Sequence, residues 1–233
     1  MSTIPRLIRK LVPNRLQGTI KLPVHNVTET ATEFDLDAMD ILKTAPVWMT
    51  RAERLLVYTM VFTLRPSRYL EIGTLKGGSA LIVNAAMNAL KSDGKLVCLD
   101  PKPQIAPEHM EILKPRTTVI TGYSPQDLGK AQDAAGGPFD LVLIDGDHSY
   151  NGLMRDANGV LPHVADGAYL LFHDSLFTEV SRGLHDFANQ HTNILTDFGT
   201  MTREVTYQQR DDGSQLQWGG IRMMQVRRNY QVD

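Results

Sequence analysis

The stretch from Tyr69 to Ala80, YLEIGTLKGGSA, constrains the fold of this chain more than any other. Tyr69, Leu70 and Ile72 make a short apolar strand. Gly73, Gly77 and Gly78 follow as turn points, where backbone can approach a ligand with no Cβ between them. Ser79, Leu81, Ile82 and Val83 then lead into an apolar helix. A strand that feeds a glycine turn and a helix is the entry to a nucleotide-type site in an open α/β sheet. The spacing is Glu-x-Gly-x-x-x-Gly-Gly, not the Gly-x-Gly-x-x-Gly of dinucleotide sites. Glu71 sets an acid at the strand end. A carboxylate there repels a pyrophosphate and suits hydroxyls, an amine or a cation. The reading therefore turns from NAD toward a positively charged nucleoside cofactor.

The rest of the chain repeats the alternation. Thr50 to Glu53 is a capping-box pattern that opens a helix running through Leu64 and stopped by Pro66. After the opening strand come KLVCLD (95–100), TTVITG (117–122), FDLVLIDGDH (139–148) and DGAYLLFHD (166–174), with helical signals between them. A helix near Thr178 to Gln190 follows. REVTYQQ (203–209), the turn DDGS and LQWGGIRMMQVR (216–227) read as an antiparallel hairpin. Strands alternating with helices and then a hairpin predict an α/β, mostly parallel sheet with an antiparallel edge. Residues 1–48 read as an accessory or lid segment with one short helix from Phe34 to Lys43, and 49–233 as the domain.

Composition narrows the function. With 42% apolar residues in 233, the chain can bury a sizeable core, and a formal charge of −2 gives no general attraction to nucleic acid. No basic, aromatic-rich stretch suggests a nucleic-acid surface. Cys98 is the only cysteine, so no internal disulfide forms, which fits a reducing cytoplasm. The helix candidate Leu55 to Leu64 is too short to span a bilayer, and no signal peptide is visible. Residues 1–27 carry Arg6, Arg9, Lys10, Arg15 and Lys21 and no acid. Pro5 and Pro13 limit any helix there, which favours a solvated or oligomer-packing extension over a membrane-surface arm.

Ligands of such sheets bind outside the carboxyl ends of the strands. Those ends hold Glu71 and Gly73, Asp100, Tyr123 and Ser124, Asp145 to His148, and His173 with Asp174. Any one acid reads equally as a turn or helix-cap residue; the collection of acids, small residues and histidines at five ends points to a site. Asp100 stands where a ribose-binding acid belongs, and Tyr123 and Ser124 where an adenine-side loop belongs. IDGDH places two carboxylates and an imidazole within four residues. Asp145 and Asp174 end neighbouring strands and can converge on one hard cation. His148 suits a general base acting on a hydroxyl. His173 reads either as the ligand of a softer metal or as an orienting group. His25, His109, His163, His185 and His191 are assigned no role.

With these residues assembled, the chain resembles the class I S-adenosylmethionine-dependent methyltransferases. The likeness is to the methyltransferase domain family that includes macrolide-sugar and cephalosporin-type O-methyltransferases. It rests on EIGTLKGGSA and on FDLVLIDGDHSYNG followed by LLFHD, over about residues 67–174, with a weaker match at WGGIRMMQVR. The resemblance implies a Rossmann-like seven-stranded sheet with helices on both faces. It implies that Glu71, Gly73 and Gly77 lie around the methionine part of the cofactor, that Ser79 also binds the cofactor, that Asp100 takes the ribose and that Tyr123 and Ser124 border the adenine. It implies Asp145 as cofactor neighbour or metal ligand, Asp174 as metal ligand and His148 as base. His173 departs from the acid that related metal-dependent enzymes carry there. The expected reaction is methyl transfer from S-adenosylmethionine to a hydroxyl of a small molecule, aided by Mg²⁺ or another divalent cation. Two rival readings are a catalytically silent S-adenosylmethionine-binding protein and a dinucleotide-dependent oxidoreductase. The acceptor is expected against residues 20–50 and 175–215, and a homo-oligomer is plausible from the basic arm.

Overall fold

Each central strand carries apolar side chains at odd and even positions, so it must be covered on both faces. The computed structural model, which describes residues 37–228, satisfies that demand. The basic arm of residues 1–27 and the start of the expected Phe34–Lys43 helix lie outside the described residues.

A 3₁₀ turn at Asp37–Met39 leads to α1 (Ile41–Thr44), α2 (Arg51–Leu64), β1 (Arg68–Ile72), α3 (Gly78–Ala89) and β2 (Lys95–Asp100). Then come α4 (Pro107–Leu113), β3 (Thr117–Thr121), α5 (Leu128–Ala135), β4 (Phe139–Ile144), α6 (Tyr150–Val160) and β5 (Val164–Phe172). The chain ends through α7 (Thr178–Gln190), β6 (Leu195–Thr200), β7 (Thr206–Gln209), β8 (Gln215–Trp218) and β9 (Arg222–Val226). The main sheet has seven strands in the order β3-β2-β1-β4-β5-β9-β6, and β7 and β8 form a separate two-stranded sheet. β9 runs antiparallel to both neighbours; the β3-β2-β1-β4-β5 pairings are all parallel.

Alternation divides the core in two. Leu70, Ile72, Val142, Ile144, Leu170 and Phe172 face one cluster with residues of α5, α6 and α7. Tyr69, Leu96, Cys98, Leu141, Leu143 and Leu171 face the other, with α2 and α3. The Rossmann-like sheet with helices on both faces is therefore present.

Three local expectations change. The second hairpin strand, read as continuous from Leu216 to Arg227, breaks at Gly219 and Gly220, whose φ values of +106° and +87° suit glycine. β8 pairs with β7, and β9 enters the main sheet. β6 adds an edge strand that apolar patterning does not signal, because only Leu195 in it is buried. Of the helix expected from Phe34 to Lys43, the described part is a 3₁₀ turn at Asp37–Met39 followed by α1, which stops at Thr44 because Ala45, the residue before Pro46, is extended.

The order reverses between β1 and β4. The chain leaves β1 toward β2 and β3, then returns on the other side for β4, so a crevice opens at their carboxyl ends. Hydrogen bonds extend the ladder past the strand ends there: Asp145 N–H donates to Ile72 O at 2.8 Å, and His173 N–H to Ile144 O at 3.1 Å.

Candidate active site

A cleft of about 500 Å³ occupies that crevice. Gly73, Ser79, Asp100, Tyr123, Ser124 and Asp145 line it; Glu71 and Gly77, also expected at a cofactor, do not. The glycines prove to serve chain contacts. A Cβ on Gly73, whose φ is +88°, would stand 2.1 Å from Asp145 O, and one on Gly78 would stand 2.6 Å from the Pro46 carbonyl carbon. Gly77 is the left-handed N-cap of α3. Asp100 holds the turn: Thr74 N–H and Leu75 N–H both donate to its Oδ2 at 2.8 Å, and Lys102 N–H to its Oδ1 at 2.7 Å. Glu71 is wholly buried, and burial raises its pKa to about 7 against the opposing hydrogen bonds of Ser79 and Thr74. Asp156 of α6, not singled out by sequence, is a buried acid on the cleft wall. Burial raises its pKa against the pull of Arg155 and Ser124.

At one end of the cleft Asp145, His148, His173 and Asp174 converge. One ligating atom from each lies within 4.8 Å of all the others. His148 Nε2 is 3.0 Å from Asp174 Oδ2 and 3.4 Å from Asp145 Oδ1. His173 Nδ1 is 2.9 Å from Asp145 Oδ1 and 3.3 Å from Asp174 Oδ2. The third acid is Glu53 of α2, whose Oε2 is 3.5 Å from His173 Nε2. Burial alone would lower the His148 pKa, but Asp145 and Asp174 outweigh it and raise the value to about 9. His173 moves the same way for the same reason, chiefly through Asp145. Burial opposes ionisation of Asp174, yet the two imidazoles hold its carboxyl well below the usual range. Asp174 has a left-handed φ of 51°, uncommon outside glycine, and Gly219 N–H donates to its Oδ1 at 2.6 Å.

The donor set fits a divalent cation. Asp145 and Asp174 supply hard oxygens, and the imidazole nitrogens bias the set toward an ion softer than Mg²⁺.

Beyond His148 lies a second cavity, of about 730 Å³, between residues 47–50 and the β7–β8 hairpin. Arg54 fixes the first wall, its guanidinium donating to the carbonyls of Leu42, Ala45, Val47 and Met49 at 2.6–3.0 Å. Trp218 belongs to the other wall. It stacks on Phe177, centroids 4.4 Å apart, and meets His148 edge-on at 5.5 Å. Sequence reading placed Glu53 only as a helix cap and missed both Trp48 and Trp218; a tryptophan beside a Gly-Gly break was the available signal.

Residues 70–175 match the family described as a methyltransferase domain. Over that stretch the chain is similar to methyltransferase domains. Its strand order and single antiparallel strand agree with that match. No curated protein matches the chain in sequence. Solved structures share the fold. An O-methyltransferase of Bacillus cereus in complex with SAH is 17% identical, with 85% of this chain and 94% of that one covered and a TM-score of 0.55. A putative O-methyltransferase of Klebsiella pneumoniae is 21% identical, with 95% and 94% covered and a TM-score of 0.56. The MycE methyltransferase of the mycinamycin pathway, in complex with Mg, SAH and mycinamycin VI, is 17% identical with a TM-score of 0.57. There 83% of this chain is covered and 55% of MycE, so this chain spans about half of that protein. Among the described residues no helix is long and apolar enough to cross a membrane.

Proposed function

We propose that this methyltransferase transfers the methyl group of S-adenosylmethionine to a hydroxyl of a small molecule, with His148 as general base. The observation that carries the reading is the position of His148. It lines both cavities and stands between the two strand-end carboxylates. A donor in the first cavity and an acceptor in the second would meet beside its ring.

S-adenosylmethionine brings a methyl group already activated on a sulfonium, so the protein's work is placement and the handling of one proton. Gly73, Ser79 and Asp145 would border the methionine part, Asp100 the ribose, and Tyr123 with Ser124 the adenine. Glu71 and Gly77 would act from behind the cleft wall, Glu71 through Ser79 and Thr74. The acceptor oxygen forms its bond to the methyl carbon as the carbon–sulfur bond breaks, and its proton passes to the His148 imidazole. Asp145, His173 and Asp174 would hold a divalent cation, which supplies polarisation of the acceptor hydroxyl. Exchange of His148 for alanine is expected to lower turnover by at least about a hundred-fold. Affinity for S-adenosylmethionine, read by calorimetry, should stay in the wild-type range. Unchanged turnover in H148A would remove His148 from the mechanism.

A further inference from the structure

Behind the four converging residues stands a carboxylate that meets only one of them. Glu53 lines the second cavity and not the cofactor cleft, whereas His173 lines the cleft and not the second cavity. Glu53 also stands outside the group whose ligating atoms lie within 4.8 Å of one another. Its link to that group is His173, whose Nε2 lies 3.5 Å from Glu53 Oε2. Both residues are buried, at 1% and 5% exposure. Among the described residues no lysine or arginine pairs with Glu53. The other partners of its carboxylate are the main-chain N–H groups of Thr50 and Gly220.

Those two donors come from different elements. Thr50 caps α2, and Gly220 leads into β9. Thr50 N–H donates to Oε2 and Gly220 N–H to Oε1, so the carboxylate is oriented from both ends before the imidazole meets it. The cap uses Oε2 alone, and neither donor requires a histidine beside the acid. On the far edge of the ring, His173 Nδ1 stands 2.9 Å from Asp145 Oδ1 and 3.3 Å from Asp174 Oδ2. A neutral imidazole carries one N–H and one lone pair. With the N–H on Nδ1, His173 is a donor to Asp145. With the N–H on Nε2, its lone pair faces the two strand-end carboxylates.

We propose, resting on the divalent-cation part of the reading above, that Glu53 is the positioning residue that makes His173 a metal ligand. It holds the ring proton on Nε2 and so turns the Nδ1 lone pair toward the place that Asp145 and Asp174 share. A carboxylate behind a ligating histidine fixes its tautomer and ring orientation and raises the basicity of the ligating nitrogen. Nitrogen ligation favours Mn²⁺ or Co²⁺ over Mg²⁺, which prefers oxygen. Glu53 therefore sets the ion preference of the site without touching the ion.

Calorimetry of the full chain with Mn²⁺ and with Mg²⁺ tests this without turnover. Glu53→Gln keeps the length of the side chain and one acceptor oxygen. It should weaken Mn²⁺ about ten- to hundred-fold and Mg²⁺ less than about three-fold, whereas a general loosening of the fold weakens both alike. Thr50→Ala removes the cap hydroxyl but keeps the main-chain N–H and Glu53, so both affinities should stay at wild type. In a His173→Asn background, Glu53→Gln should cost no further Mn²⁺ affinity. Proton NMR of the Co²⁺-loaded wild-type chain, with ¹⁵N-labelled histidine, examines the same arrangement with no variant at position 53. One ion-shifted ring N–H should be assigned to His173 Nε2 and vanish in His173→Asn. Wild-type Mn²⁺ affinity in Glu53→Gln, equal losses for the two ions, or a loss that persists in His173→Asn overturns the role of Glu53 and leaves the cation in place. A His173 proton found on Nδ1, or no ion-shifted histidine N–H, overturns ligation by His173 as well. Failure of the wild-type chain to bind Mn²⁺ sinks the cation reading itself.

Discussion

Glu53 Oε2 lies 3.5 Å from His173 Nε2, and this contact joins the first turn of α2 to the end of β5. The same carboxylate closes the capping box with Thr50 and takes the Gly220 N–H, so one buried acid ties together α2, the candidate site and the start of β9. Glu53→Ala leaves those donors and a buried imidazole without their partner. The expected loss is about 3 kcal/mol. Thr50→Ala breaks only the cap and should cost about 1 kcal/mol. Denaturant unfolding compares the two; an E53A loss no larger than that of T50A would reduce Glu53 to a helix cap.

Gly73 is the second test, because the fold and not a ligand demands it. A Cβ there would sit 2.1 Å from a main-chain oxygen of the neighbouring strand end, at a φ of +88°. Neither strand can retreat, since Gly73 N–H donates to Leu99 O and Asp145 N–H to Ile72 O. Gly73→Ala is expected to lose at least about 3 kcal/mol, measured by the same unfolding experiment. Stability near wild type with weaker cofactor binding would return Gly73 to a purely ligand-facing role.

The physical reason for what sequence revealed is visible in these residues. β1, β2, β4 and β5 are apolar on both faces, which is a strong local pattern, and their ends are fixed by it; Asp100, Asp145 and Asp174 therefore group together on sequence alone. β6 is an edge strand with one buried residue, so no pattern announces it. Glu53 and His173 are 120 positions apart in numbering, and only the packing of α2 over β5 makes them partners. The purpose of a glycine is equally hidden. Gly73 and Gly78 read as room for a ligand, and the close neighbours turn out to be Asp145 and Pro46. Trp218 escaped because Gly219 and Gly220 send the chain from one sheet to another, and a two-residue turn signal does not say where the strand before it goes.

Asp100 separates loop support from ligand binding. Its two oxygens accept three backbone N–H groups of the glycine turn and the loop after β2. Asp100→Ala should lose both stability, by about 2 kcal/mol or more, and cofactor affinity. Asp100→Asn keeps one acceptor oxygen for the turn but offers a ribose hydroxyl a donor in place of an acceptor. Because Lys102 N–H then faces an amide N–H₂, a melting temperature between those of D100A and wild type, with affinity reduced about ten-fold, is expected. Equal affinity in D100N and wild type, by calorimetry, would leave Asp100 a loop residue only.

The last prediction concerns protons. In the cation-free protein Asp145 and Asp174 raise His148 to about 9, above its ordinary 6.5. A raised folded-state pKa means that the imidazolium stabilises the fold fully below pH about 6.5, and that this contribution fades as pH rises through about 9. Melting temperature without added cation should therefore fall between those limits, and His148→Gln should flatten the fall. The same shift keeps His148 protonated at neutral pH, where a protonated imidazole accepts nothing. Turnover in chelator should then be low and should rise with pH toward an apparent pKa near 9. When Asp145 and Asp174 are engaged by a cation their hold on the His148 proton weakens, so added Mg²⁺ or Mn²⁺ should move the rising limb to lower pH. Mn²⁺ should act at lower concentration than Mg²⁺, as the His173 imidazole predicts. A pH–rate profile identical in chelator and in saturating Mn²⁺ would remove the cation from the mechanism and leave His173, not a metal, as the positive group between the carboxylates.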